Sequence, residues 1–347
     1  MANPMQRSLP RVTVVIPAFN AAATLREAVR SCLAQTEGGL EVLIIEDGSR
    51  DATLEVAQVC QQEDPARVTV LRHEGGRNAG VAASRNLGIS QARGEFVAFL
   101  DSDDVWLPDK LRMQLEVVGA DPGIGFVFGN VLLCVDPDPA RPMSEQKLEP
   151  DPFRARMAEL FNADSTAACR VLNLDADGHR YVPSPTPLVR RELFAQGLRF
   201  VGPDRLRLQY EDFLMWKILA ARTRVHCLAQ PLAIYRVHAS SFTGQFHARG
   251  SALRHLQGLS DVHEVFVDIA ARDVEPKFVD AMFALQAEKI VANAHRIDLS
   301  DLLGYLLLAG KYRTAGLALA RVLHTRMHRT RASAAAAKRS ILGQGSK

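Results

Sequence analysis

The feature that most restricts this chain is an alternation, between Val12 and Leu100, of short β-branched runs with segments of helical period. Arg11 to Ile16 reads R-V-T-V-V-I and is closed by Pro17, the pattern of a buried strand. Thr24 to Gln35 then sets Leu25, Ala28, Val29, Cys32 and Leu33 on one helical face, with Thr24 and Glu27 spaced as a capping box. Leu40 to Ile45, Val68 to Leu71 and Glu95 to Leu100 supply three more apolar runs, and Asp51 to Gln62 and Ala79 to Ala92 the helices between them. Strands separated by such helices predict an α/β fold with a mostly parallel sheet covered by helices on both faces. Ligands of such sheets collect beyond the carboxyl ends of the strands. Pro17-Ala18-Phe19-Asn20, Glu46-Asp47-Gly48-Ser49 and Asp101-Ser102-Asp103-Asp104 each follow a strand, so they are expected to line one crevice.

Beyond Asp121 the pattern loosens. Gly125 to Cys134 predicts a strand, whereas Asp136 to Pro152 carries five prolines and reads as an irregular, variable insertion. Helices are predicted over Arg190 to Ala195 and Glu211 to Ala221, with one or two strands over Val225 to Val237 interrupted by Pro231. The chain from residue 250 onward reads mainly helical.

Composition enters by exclusion. With 347 residues, 47% hydrophobic and 23% charged, the chain has the size of one large domain or two modest ones and lies outside disordered or fibrous compositions. Its five cysteines are an odd number with no two closer than 28 residues, so they read as buried free thiols of a reducing compartment rather than a local zinc site or redox pair. Met1 to Pro10 lacks the apolar stretch of a secretory signal, and the longest apolar window, Leu302 to Ala309, falls short of the roughly 18 to 20 residues that span a bilayer. These features lead us to expect a cytoplasmic protein. The net charge of +3 conceals an asymmetry: Leu302 to Lys347 holds nine Lys and Arg and no acid, leaving the first 301 residues at −6. That basic segment reads either as a solvated helical face or as a peripheral contact with an anionic membrane. Nucleic acid is not expected as a partner, because the basic residues after residue 310 come with a single aromatic, Tyr312.

Two strand ends and one helix start carry residues suited to chemistry. Asp101 and Asp103, separated by one residue, can hold a hard divalent cation through oxygen and leave its other positions to phosphate oxygens; taken alone, the triplet reads more simply as an acidic loop whose Asp104 caps the next helix. Asp47-Gly48 reads as a turn, or as a carboxylate accepting bonds from a nucleobase or ribose where glycine lets the backbone come close. Asn78 to Asn86 opens a helix with small residues, Gly80 among them, and Arg85 on it either reaches a phosphate or pairs with an acid. Neither a Walker loop nor a G-x-G-x-x-G string is present.

In this order and spacing, V-T-V-V-I-P-A-F-N, E-D-G-S, N-A-G-V-A-A-S-R-N-L-G-I and G-E-F-V-A-F-L-D-S-D-D-V-W-L-P-D-K-L resemble the inverting glycosyltransferases of family 2, which have the GT-A fold. The resemblance is dense from Val12 to about Gly129. It continues thinly, through P-T-P-L-V-R-R-E-L-F, Y-E-D-F-L-M-W-K and Y-R-V-H, to about Ser241. It implies a GT-A catalytic domain over residues 10–242 and a helical, basic extension over 250–347. It also implies nucleotide-sugar contacts from Pro17, Ala18, Asn20, Asp47, Gly80, Arg85, Asp101 and Ser102. Mn²⁺ or Mg²⁺ would be held by Asp103, with Asp101 and His238 as further ligands, and Asp212, beside Glu211, would be the catalytic base. The implied partners are a nucleotide-diphospho-sugar donor, UDP-linked in our reading, and a saccharide or lipid-linked saccharide acceptor. Two departures stand out: Ala21-Ala22-Ala23 where relatives often carry an acid, and Glu46 where Asp is frequent. His238 also reads as a surface or packing residue, and Trp216 as core or as a platform for an acceptor sugar. Two other readings compete. A nucleotidyltransferase would need a Gly-rich Arg-Lys loop that is missing after Ile16; a catalytically silent sugar-nucleotide-binding scaffold would need neither carboxylate for turnover.

Overall fold

The computed structural model describes residues 9–37, 39–138, 141–151, 182–206 and 210–238, together with Val262, Val265 and Ile269. Nine strands among them form one sheet. In chain order they are β1 (Val12–Ala18), β2 (Leu40–Glu46), β3 (Val68–Arg72), β4 (Phe96–Phe99), β5 (Val105–Trp106), β6 (Ile124–Val135), β7 (Glu149–Pro150), β8 (Leu188–Arg190) and β9 (Arg224–Val237). The helices are α1 (Leu25–Leu33), α2 (Thr53–Glu63), α3 (Val81–Gln91), α4 (Lys110–Ala120), α5 (Glu192–Ala195) and α6 (Glu211–Arg222).

The order across the sheet is β3-β2-β1-β4-β8-β6-β9-β5, with β7 paired to β6. β1 to β4 are parallel, as the alternation predicts, and β6 runs parallel to β9. The antiparallel β8 is wedged between β4 and β6. Successive residues of each strand feed opposite faces. Val15, Leu43, Ile45, Val97 and Phe99 enter one apolar cluster with residues of α3 and α6, whereas Val14, Ile16, Val42, Ile44 and Ala98 enter a second with α1, α2 and α4. Both faces are covered, which is why the strands read as continuous apolar runs. Val262 and Val265 are buried in the first cluster.

Four expectations need correction. β1 does not stop at Pro17 but runs to Ala18. The alternation of its bonds points Pro17 toward β4, whose pairing with β1 ends at Val15 and Phe99, so the missing N–H costs no ladder bond. β9 is one continuous strand, and Pro231 is accommodated by register shifts around Asn130 of β6. The Thr24–Glu27 capping box does not form. Glu27 instead pairs with Arg236, and the amides of Ala21 and Ala22 donate to Thr53 Oγ1 (2.7 Å) and Asp51 Oδ2 (3.2 Å). Asp104 does not cap a helix: α4 begins six residues later, after Asp109, and Asp104 is buried at the start of β5. The irregular excursion after Asp136 contains a 3₁₀ turn at Met143–Glu145 and β7 among its described residues. Cys32, Cys60, Cys134 and Cys227 are buried free thiols, as expected, and Cys169 lies outside the described residues.

Candidate active site

The carboxyl ends of β1, β2 and β4 lie side by side, because Ala18 pairs with Glu46 and Val15 with Phe99. After β1, Asn20 adopts a positive φ of 51° and is tied to the next strand end: its amide donates to Ser49 Oγ (3.0 Å) and its Oδ1 accepts from the Arg50 amide (2.9 Å). Pro17 and Ala18 are buried below it.

After β2, Glu46 accepts from the Ser49 amide (2.6 Å) and from Arg72 Nε (2.8 Å). Burial alone would raise this carboxyl, but the bonds from Ser49 and Arg72 outweigh it and hold it below the usual glutamate range. The buried Asp47 uses both oxygens on the two residues that lead into α3, taking the amides of Ala79 (2.7 Å) and Gly80 (2.9 Å). The sequence did not disclose this role. Gly48 is required in place: at φ +70 its Cβ would lie 2.6 Å from the Asn78 amide nitrogen. The backbone that glycine lets approach is therefore this chain's own segment 76–78. Gly80, at φ +88, faces open space among the described residues.

Arg85, on α3, is buried beneath this edge rather than partly exposed. Its Nη1 donates to Glu211 Oε1 (2.7 Å) and its Nη2 to Asp101 Oδ1 (2.8 Å). One guanidinium thus joins the strand end after β4 to the start of α6, and its partner Glu211 lies 126 residues beyond Arg85 in sequence. The two carboxylates outweigh burial and raise the arginine's proton affinity, so it stays charged. Glu211 is pushed up to about 7, by burial first, with Asp212 adding to it and Arg85 opposing. Asp101 is raised for the same first reason, with Arg85 opposing and Asp103 adding. Asp212 is partly exposed; its Oδ2 accepts from the Ser184 hydroxyl (2.7 Å).

At the far side, Arg236 of β9 locks the acidic loop. Its amide donates to Asp104 Oδ1 (2.9 Å), its Nη1 to the Asp103 carbonyl (2.6 Å) and its Nη2 to Glu27. Burial, then Asp103 and Asp101, raise Asp104 well above the ordinary range. Two residues on, His238 Nε2 lies 3.2 Å from Asp103 Oδ2. Ser102 lies between the two aspartates, partly exposed. The Asp103 carboxylate, about one-third exposed, suits Mn²⁺ or Mg²⁺ when diphosphate and water complete the shell, and the imidazole beside it, equally exposed, adds a nitrogen donor that Mg²⁺ does not favour. Among the described residues no group of three or more such side chains has metal-holding geometry. Trp216 is core: it is 2% exposed and packs against Phe99, Phe126 and Phe200, so the acceptor-platform reading fails for lack of an accessible face. Reading the sequence passed over Ser184, Arg236 and Glu27. Only the Y-R-V-H pattern held a signal for one of them.

The D-x-D loop and the E-D pair thus meet at the carboxyl ends of the parallel strands, joined through Arg85. The sequence pattern of the family described as Glycosyl transferase family 2 matches residues 13–178. The succinoglycan biosynthesis protein ExoO of Rhizobium meliloti (strain 1021) is 32% identical over 276 residues, 79% of this chain and 72% of that protein. The chain belongs to glycosyltransferase family 2. A second relative, UDP-Glc:alpha-D-GlcNAc-diphosphoundecaprenol beta-1,3-glucosyltransferase WfgD of Escherichia coli, is 36% identical over 119 residues, 34% of this chain and 45% of that protein. The matched region spans only 21% of the length of two uncharacterized Rickettsia glycosyltransferases. The fold is similar to that of S. aureus TarS 1-349 in complex with UDP-GlcNAc, with a TM-score of 0.62 at 19% identity over 88% of this chain and 81% of that one.

Proposed function

We propose that this glycosyltransferase moves a sugar, with inversion, from a nucleotide-diphospho-sugar to a saccharide or lipid-linked saccharide in the assembly of a polysaccharide or glycolipid. The observation that carries the reading is the Arg85 bridge, because it sets the D-x-D loop and the E-D pair on one crevice. ExoO is named for succinoglycan biosynthesis, and WfgD for glucosyl transfer from UDP-Glc to a diphosphoundecaprenol-linked sugar; both names favour such a donor and acceptor.

Asp212, partly exposed at the start of α6, takes the proton of the acceptor hydroxyl, and that oxygen attacks the anomeric carbon as the nucleoside diphosphate leaves. One displacement inverts the centre; a covalent route would need a second nucleophile that nothing in the site nominates. Asp103 and His238 would hold Mn²⁺ or Mg²⁺, which when bound would neutralise charge on the departing diphosphate. Arg85 keeps one oxygen of Asp101 turned inward, leaving the other toward the donor or metal. Asn20 and Ser102 form the nucleotide side of the crevice, with Pro17 and Ala18 buried beneath as its floor. Asp47 and Gly80 serve it through the entry to α3, where Asp47 fixes the amides of Ala79 and Gly80.

The decisive variant is Asp212→Asn. Donor binding is expected to persist while turnover falls by about 10²-fold or more, the scale of general-base catalysis. Full turnover would remove the base assignment. A catalytically silent scaffold would show no turnover in the wild type either.

A further inference from the structure

Asp212 does not stand alone in its crevice. Its Oδ1 accepts from the Phe213 amide (2.6 Å), and its Oδ2 from the Ser184 hydroxyl (2.7 Å), so of the two bonds one comes from its own helix and one from 28 residues away. Ser184 sits in Pro183-Ser184-Pro185-Thr186, where two prolines each fix a backbone torsion. The segment is tied from behind as well. Thr186 folds back on the Pro183 carbonyl through both its amide (2.9 Å) and its hydroxyl (2.9 Å). Trp106 Nε1 donates to the Pro185 carbonyl (2.8 Å), and Gln114 Nε2 to the Thr186 carbonyl (2.8 Å). Gln114 is fully buried and is itself held by the buried Lys110 (2.8 Å). Trp106, Lys110 and Gln114 all lie on β5 and α4, the elements that leave the D-x-D loop.

We propose that Ser184 is a positioning residue that fixes the carboxylate of Asp212, and that Trp106 and Gln114 hold Ser184 in place for that task. The proposal rests on Asp212 being the base. An aspartate on a helix can swing about two side-chain torsions. A single hydroxyl on a turn closed by Thr186 and held by Trp106 and Gln114 selects one orientation, and a misplacement of about 1 Å at a reacting group can cost about 10²-fold. The clamp also joins the donor wall of the crevice to its acceptor wall, since the chain that leaves Asp103 goes on to brace the segment beneath Asp212.

The test uses full-length protein with UDP-glucose, UDP-N-acetylglucosamine and GDP-mannose as donors, water as acceptor, and released nucleoside diphosphate as the readout. Ser184→Ala is expected to lower kcat by about tenfold with KM unchanged, and Ser184→Thr, which keeps the hydroxyl, to recover most of the loss. In an Asp212→Asn background Ser184→Ala should cost nothing further. An unchanged kcat, a rise in KM alone, or an equal loss from the Thr variant would overturn the proposal. Crystal structures of the wild type and Ser184→Ala settle the geometry whether or not these donors turn over: a re-oriented Asp212 carboxylate upholds the positioning role, and an unmoved one removes it. Full turnover by Asp212→Asn would strike the base assignment instead, leaving the crystal comparison to judge the Ser184 contact.

Discussion

One buried guanidinium stands among three carboxylates: Arg85 bonds Asp101 and Glu211, and Asp212 adds its charge nearby. Burial first, with Asp212 and Asp101 adding and Arg85 opposing, makes Glu211 take up a proton more readily than a free glutamate, at about 7 rather than 4.5. The folded protein therefore binds this proton more tightly than the unfolded chain does. Stability from this group is full below pH 4.5 and is lost as pH rises toward 7. Asp101, raised by burial, acts in the same direction. Thermal unfolding of the wild type should lose a few degrees between pH 5 and pH 7.5, and Glu211→Gln should flatten that slope without abolishing it. Parallel pH curves for the two proteins would contradict the assignment. None of this was legible in the local sequence. Arg85 could be read as a phosphate ligand or as half of an ion pair, and only the return of the chain at α6 decides for the pair.

The elements differ in how openly the sequence announced them. β1 to β4 and α1 to α3 were readable because each is long enough to show its own period, and because burial on both faces demands apolar runs. β8 and β5 are three and two residues long, too short to show any alternation, and they are strands only because β4, β6 and β9 offer them ladders. The capping box at Thr24 failed for the same class of reason: Glu27 finds a guanidinium on β9, which no local pattern could reveal. Of the crevice itself, the D-x-D loop and the E-D pair were visible as motifs, whereas Ser184 and Arg236 act through contacts that only the fold creates. The packing of α3 on β1 offers a direct check. A Cβ on Gly88 would fall 2.3 Å from Val15 Cγ1, so the helix can lie against the strand only with glycine there. Gly88→Ala should destabilise by about 1–3 kcal/mol in denaturant unfolding, the usual scale of overpacking. Adding Val15→Ala should return part of that loss; failure to do so would mean the strain lies elsewhere.

At the scale of the whole molecule, charge is unevenly distributed: the first 301 residues carry −6, and Leu302 to Lys347 carry nine basic residues and no acid. No helix among the described residues is long and apolar enough to cross a membrane. The basic segment and most of residues 250–347 lie outside those residues, and we propose that the segment brings the protein to an anionic membrane surface. At about 1 kcal/mol per suitably placed Lys or Arg, deleting the residues after Arg313 should lower cosedimentation with anionic vesicles several-fold while leaving nucleotide binding intact. Undiminished cosedimentation would refute the attachment. The account as a whole turns on the donor crevice. Its most direct test is calorimetric titration of the full-length protein with UDP, GDP, TDP and CDP, with and without Mn²⁺, on the wild type and on Asp103→Ala. We predict Mn²⁺-dependent binding of one nucleotide that Asp103→Ala abolishes; binding of none, or binding indifferent to both Mn²⁺ and Asp103, would contradict it.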